Sequence, residues 1–302
     1  MPAQQSLGEE RMPILYGNRR TYATQMLTVT ATAMLVAAGP MSGTMVYAQQ
    51  ANADAEMAMD IDHAKILKDA GVIGVFATYK VNPDYYQRAS AERRGGVDEV
   101  LAVVDAHKSE VRVDAYLTRG LSSESDFMLR VHAYDLEAAQ NFMTDFKNTR
   151  FGMHTEVTET LTGITKSLNY VTKEASPDMN AALSSASYSD EEPKYSIVVP
   201  IEKNAEWWNM SHEERLAEME VHTAPTLEFL VNVKRKLYHS TGLDDVDFIT
   251  YFETADLNAF NNLAVSLMQV PENLYHEQWG EPTILSTIQP IEDVVKTLSA
   301  LK

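Results

Sequence analysis

One order of elements is written twice in this chain of 302 residues, and that duplication narrows the folds open to it. In the first copy, residues 71–80 (GVIGVFATYK) alternate as a strand and residues 98–108 have helical spacing. Residues 111–118 and 126–131 read as strands on either side of Gly120. Residues 136–146 read as an amphipathic helix and residues 161–164 as a closing strand. The second copy repeats this: strand 195–201, helix 211–230, strands 234–240 and 247–252 around Gly242, helix 257–268, strand 284–288. Overlaid, Gly120 meets Gly242 and the helix start Asp135-Leu136 meets Asp256-Leu257. Each copy is a ferredoxin-like β-α-β-β-α-β unit. Two such units side by side merge their sheets, so the expected fold is α+β: a dimeric α+β barrel with helices outside. The first unit is placed at residues 65–172 and the second at 194–302. Residues 173–193, polar and rich in Ser and Ala, read as a connecting loop, and residues 49–64 as a loosely held segment.

The chemistry concentrates in residues 211–256. Ser211 with Glu214 forms a capping box that starts a helix. Leu216, Met219, Leu227 and Leu230 keep its apolar spacing. Pro225 lies inside that pattern. Its ring crowds the carbonyl of Val221 and removes a backbone donor, so a kink or break is expected beside His222. After Val233 the chain alternates, with Lys234 and Lys236 on one face and Arg235 and Leu237 on the other. A helix His and an inward strand Arg then face each other across a slot. The duplication tests both. His222 lies 20 residues before Gly242, and the residue 20 before Gly120 is Val100; Arg235 lies seven before Gly242, and its counterpart is Val113. The fold is built with valine at both places in the first copy, so the His and the Arg are there for something else.

Composition removes other functions. A net charge of −18 disfavours nucleic-acid backbones and anionic membranes, which need clustered Lys and Arg. With no cysteine there can be no disulfide, Cys-ligated zinc, iron–sulfur cluster or Cys nucleophile.

Residues 1–48 read as a signal peptide. Arg19 and Arg20 precede an apolar and small-residue run from Met26 to Gly39, and Val46-Tyr47-Ala48 offers a peptidase site before Gln49. A membrane anchor or an unstructured tail are the other readings, though the apolar run is short for a span. Arg19-Arg20 faintly suggests a twin-arginine signal, and Met12 is a second candidate start. The expected location is periplasmic, with no membrane part in the mature chain.

The runs IEKNAEWWNMSHEER, VHTAPTLEFLVNVKRKLYHSTGLDDVDFITYFET and PENLYHEQWGEPT, in that order, resemble the haem-binding core of the chlorite dismutase family. The likeness extends over about residues 65–290. It implies one haem b per chain, held by the second unit, with iron ligated by His222. It also implies that Glu272 accepts the proton of the other His222 ring nitrogen, and that Lys203 pairs with Glu272 and keeps it ionised. A carboxylate partner makes such a histidine more electron-donating. Trp207 and Trp208 match tryptophans at the haem edge, Trp279 matches another family tryptophan, and Tyr170 in Asn169-Tyr170-Val171 matches a propionate contact. His63, His107, His132, His154, His212, His239 and His276 show no ligand spacing and receive no role.

The resemblance implies that ferric haem takes an oxygen atom from chlorite. A ferryl species and a trapped hypochlorite-like fragment then recombine into O2 and chloride. Arg235 is the implied catalytic residue, a permanent cation that clamps the oxyanion and its fragment. Two full units, a leader and this arginine resemble the long, exported branch of the family, which implies a homopentamer. A coproporphyrin-haem decarboxylase and a non-enzymatic haem-binding or sensor protein share the fold. The first lacks the distal arginine and is cytoplasmic; the second has no need of His222 and Arg235 together.

Overall fold

In a computed structural model, which describes residues 60–167, 176–185, 189–229 and 231–301, each half of the chain forms the expected unit. The first runs β1 (Ile73–Val81), α1 (Ser90–His107), β2 (Val111–Leu117), β3 (Phe127–Ala133), α2 (Leu136–Asn148), β4 (Thr155–Ile164). After α3 (Pro177–Ser185) come β5 (Tyr195–Lys203), the short α4 (Ala205–Asn209) and α5 (His212–Thr223). The chain goes on through β6 (Val233–His239), β7 (Phe248–Thr254), α6 (Leu257–Met268), β8 (His276–Trp279), β9 (Ile284–Gln289) and α7 (Ile291–Leu298). The leader 1–48, the segment 49–59 and Asn169, Tyr170 and Val171 lie outside the described residues.

All strand pairs are antiparallel. The order β7-β6-β4-β1-β3-β2-β9-β5 closes on itself through β5–β7, and β8 extends the edge of β5. Two seams join the halves: Ile164 against His239, and Ala115, Tyr116 and Leu117 against Gln289, Ile288 and Thr287. Closure leaves few unpaired strand edges. The strand period of two then sorts side chains into layers. Val75, Ala77 and Tyr79 point out under α1 and α2, and Ile197, Val199 and Ile201 point out under α6. Phe76, Val198, Tyr238 and Tyr251 point into the barrel.

The local signals act as chemistry predicts. Ser211 and Glu214 exchange both capping-box bonds at the start of α5. Pro225 ends α5 at Thr223, and the chain continues as a 3-10 segment, Ala224–Phe229. Gly120 and Gly242, at φ +86° and +77°, take the same left-handed turn in the two halves.

Three differences have physical causes. The helix expected over 98–108 begins at Ser90. Its Gly95-Gly96 pair argues against helix by propensity, but a Cβ at Gly96 would lie 3.2 Å from the Phe151 backbone nitrogen, so the close packing there favours glycine. The linker expected over 173–193 contains α3, a short helix opened by Pro177. Helix α7 was not anticipated. Its Val294, Val295 and Leu298 join the core of the first half, and the Ser299 hydroxyl bonds Tyr85 Oη at 2.9 Å.

The barrel interior holds a charged cluster. Arg130 donates to Asp114 at 2.9 Å and lies 3.9 Å from the centre of the Tyr251 ring. His132 Nε2 is 2.7 Å from Tyr238 Oη, and burial, aided by Arg130, pushes the imidazole from 6.5 down to about 3. A histidine held neutral in the folded state protonates first in the unfolded state, so its contribution is whole above about pH 6.5 and falls as pH drops toward 3. His132 should therefore remove about 1.4 kcal/mol of stability per pH unit below 6.5. Urea denaturation at pH 7 and pH 5 checks this, and His132→Gln should flatten the dependence. Equal pH dependence in parent and variant would contradict it.

Candidate active site

A cavity of about 370 Å³ is lined by His222, Thr223 and Met219 of α5 on one side and by Arg235, Leu237 and His239 of β6 on another. Ile201, Phe248, Phe252, Leu263, Leu267 and Trp279 give it apolar walls. His222 sits in the last turn of α5, placed there by the break at Pro225. Arg235, Leu237 and His239 share the cavity face because alternate residues of β6 point the same way. Lys236 also borders the cavity, but its Nζ donates to the carbonyl of Leu67.

The centre of the site is Glu272, only 2% exposed, on a 3-10 segment (Pro271–Tyr275). Its Oε2 lies 3.0 Å from His222 Nδ1, its Oε1 is in direct contact with Lys203 Nζ, and His276 Nε2 is 3.2 Å from the same Oε1. Burial, then Lys203, Arg235 and His276, push the His222 imidazole down to about 3. The ring is neutral at physiological pH. Its single proton belongs on Nδ1, where a carboxylate accepts it, and Nε2 keeps its lone pair. Burial lowers the affinity of Lys203 for its proton, and Asp247 and Glu218 oppose that shift. With Glu272 against it, we describe the pair as an ion pair. The Lys203 ammonium lies 4.4 Å from the centre of the Trp207 ring, which screens it from water.

Arg235 Nη1 donates to Thr226 Oγ1 at 2.6 Å, and that hydroxyl donates to the carbonyl of Thr223 at 2.7 Å. A helix end leaves carbonyls without helical partners, and Thr226 takes one of them. The guanidinium thus reaches from the sheet to the turn that follows His222.

The duplication now gives a fuller control. The backbone nitrogens of Val81 and Lys203 donate to equivalent aspartates, Asp126 and Asp247, each at 2.8 Å. Asn82 N bonds His154 O as Asn204 N bonds Tyr275 O. Counting back from those carbonyls, Phe151 occupies the place of Glu272. Val81, Val100 and Phe151 lie in one apolar core, with Val113 packed against it. The same scaffold is therefore closed with hydrocarbon in one half and with Lys, His, Glu and Arg in the other. Buried polar groups of that kind are costly unless paired, and here the pairing is complete around Glu272.

Five of the anticipated residues, His222, Glu272, Lys203, Arg235 and Trp207, line one cavity, as does Trp279. Trp208 does not. It is 41% exposed, stacks on Phe248 at 6.2 Å and donates from Nε1 to Asp247 Oδ2 at 3.3 Å. Consecutive helical residues point about 100° apart, so Trp207 and Trp208 cannot both face in. Trp208 thus stands outside the cavity lining, and its place at a haem edge stays a proposal. Tyr170 falls outside the described residues.

Sequence reasoning missed Thr226, His239 and His276. The last stands four residues after Glu272, a spacing that brings side chains together on one turn, and that was the available signal.

The donor set fits a haem. A neutral imidazole with its proton fixed on Nδ1 offers Nε2 to iron, the walls suit a flat apolar ring, and Arg235 supplies a cation.

Comparison with known proteins gives a consistent result. A family model described as chlorite dismutase matches residues 93–285. A chlorite dismutase from Ideonella dechloratans is 63% identical over 239 residues, covering 79% of this chain and 84% of the relative. The structure of a chlorite dismutase from Candidatus Nitrospira defluvii in complex with imidazole matches with TM-score 0.76 at 40% identity, covering 79% of this chain and all of the other. A heme-binding protein from Thermus thermophilus matches with TM-score 0.63 at 12% identity over 77% of this chain and 96% of the other, a likeness of fold alone.

Proposed function

The chain belongs to the chlorite dismutase family, and from that premise we propose that His222 would carry the iron of its haem while Arg235 would hold the chlorite anion. The enzyme converts chlorite into chloride and molecular oxygen. The observation that carries the residue assignment is the Lys203–Glu272–His222 relay beside Arg235, in a cavity whose counterpart in the first half is hydrocarbon.

When bound, a haem, of b type in this reading, would supply the redox chemistry for breaking the Cl–O bonds and joining the two oxygens. The protein residues do the rest. Glu272, kept ionised by Lys203, holds the proton on His222 Nδ1 and directs Nε2 toward the metal. Arg235 offers fixed charge and several N–H donors to an oxyanion. The reaction ClO2⁻ → Cl⁻ + O2 needs no net proton, so a cation that does not titrate suits it better than an acid or base. The apolar walls exclude water and strengthen that attraction.

An oxygen electrode tests the function. Chlorite added to the haem-loaded protein should release one O2 per chlorite consumed. Loss of chlorite without O2 would overturn the reading.

We further propose a periplasmic homo-oligomer, a pentamer by family likeness. Support comes from the Arg19-Arg20 pair, the apolar run after it and Val46-Tyr47-Ala48. Mass spectrometry should find a mature chain beginning at Gln49, and light scattering should find five copies. A start at Met1 or a monomer would contradict the respective statement.

A further inference from the structure

We propose that His276 is a positioning residue for the reaction: it donates a hydrogen bond from Nε2 to Glu272, and Asn273 fixes its proton for that purpose. The inference rests on the reading of His222 as the haem ligand.

The argument is one of proton accounting. The His276 side chain is 8% exposed, and burial, with Lys203 nearby, pushes its imidazole down to about 4. It carries one ring proton at physiological pH. Its two nitrogens each have a neighbour: Nε2 is 3.2 Å from Glu272 Oε1, and Nδ1 is 3.0 Å from Asn273 Oδ1. A proton on Nδ1 would turn the Nε2 lone pair toward a buried carboxylate oxygen, a repulsive contact with no solvent to relieve it. A proton on Nε2 makes that contact a hydrogen bond. Nδ1 then needs a donor, and the Asn273 amide provides one when it is turned over so that its NH2 takes the place of Oδ1 beside the ring. The O and N of an amide have the same outline, so the network decides which way it points. An imidazolium would donate to both neighbours with Oδ1 facing the ring, but burial disfavours the charged form. With one ring proton, only the arrangement Asn273 NH2 to Nδ1, Nε2–H to Glu272 satisfies both contacts.

The consequence falls on His222. Oε1 of Glu272 is shared by Lys203 and His276, and Oε2 is left to His222. Two donors on one oxygen hold the carboxylate against rotation and withdraw charge from it. His276 thereby limits how strongly Glu272 attracts the His222 proton, and so how electron-rich Nε2 becomes. The fold does not ask for a histidine here. Thr155 stands at the matching place in the first half, with its hydroxyl bonded to Gly152 O at 2.8 Å.

Two measurements test this. In the haem-free protein, nitrogen NMR of His276 should report the neutral Nε2–H tautomer. The Nδ1–H tautomer or an imidazolium would overturn the proposal. In the haem-loaded protein, His276→Phe removes a donor from Glu272. The haem reduction potential should shift to lower values and the iron–histidine stretch to higher frequency. His276→Gln, whose amide can donate to Glu272, should return both toward the parent. Potential and frequency equal to the parent in the Phe variant would reduce His276 to packing and overturn the proposal. The NMR arm involves no haem, so failure of the ligand reading, seen as no iron–histidine band in the parent, is a distinct result.

Discussion

His222→Ala is expected to leave a folded chain that does not retain haem. The fold should survive because the equivalent position in the first half is Val100, fully buried in a hydrocarbon core. The cofactor should not. The other polar groups around Glu272, Lys203 and His276, are spent on the carboxylate. Loss of an outer partner of a metal-binding histidine typically costs 10–100-fold in affinity, so loss of the ligand itself should weaken haem binding by at least about 100-fold. The readout is Soret absorbance after desalting. Free imidazole fits the space left by the side chain and should restore part of the band. A variant that keeps haem with unchanged ligation would remove the iron assignment.

Arg235→Ala is expected to keep haem and lose catalytic efficiency. Removing one preorganised donor to a developing oxyanion typically costs 10²–10³ in rate, and kcat/KM for chlorite should fall by about that much. Arg235→Lys keeps a positive charge but not the fork of donors, and should fall between the two. Total turnover before the haem band bleaches should drop as well if Arg235 also retains the chlorine-containing fragment, as proposed. The fold tolerates the change, since Val113 fills this place in the first half. The change also removes the bond to Thr226 Oγ1. Initial O2 rates at low chlorite, with cumulative O2 at exhaustion, measure both effects. Parent-like values for both would dismiss the clamp.

The duplication was legible because its signals are local. A glycine needed at positive φ, an aspartate cap and strand alternation can each be read within a few residues, and Gly120 with Gly242 and Asp135 with Asp256 all recur in the structure. His222 and Arg235 stood out for the same reason, as departures from a pattern the chain itself supplies. The pairing of Glu272 with Lys203 was not readable from spacing, because 69 residues separate them; only the family likeness brought them together. The start of α1 was hidden because Gly95-Gly96 lowers helix propensity, and the need for close approach to Phe151 is a tertiary fact. Helix α7 escaped because its partner surface belongs to the other half of the chain. The exposure of Trp208 was not readable, because a motif match gives a residue's position and not the side of the helix it faces. His276 was set aside for lack of ligand spacing, when its neighbour is a carboxylate and not a metal.

The most direct test is a crystal structure of the haem-loaded protein with a small anion bound at the iron. His222 Nε2 should ligate the metal from one side, with Nδ1 still on Glu272, and the Arg235 guanidinium should lie against the anion on the other side. Iron held by a different residue, or Arg235 on the same side of the ring as His222, would contradict the account.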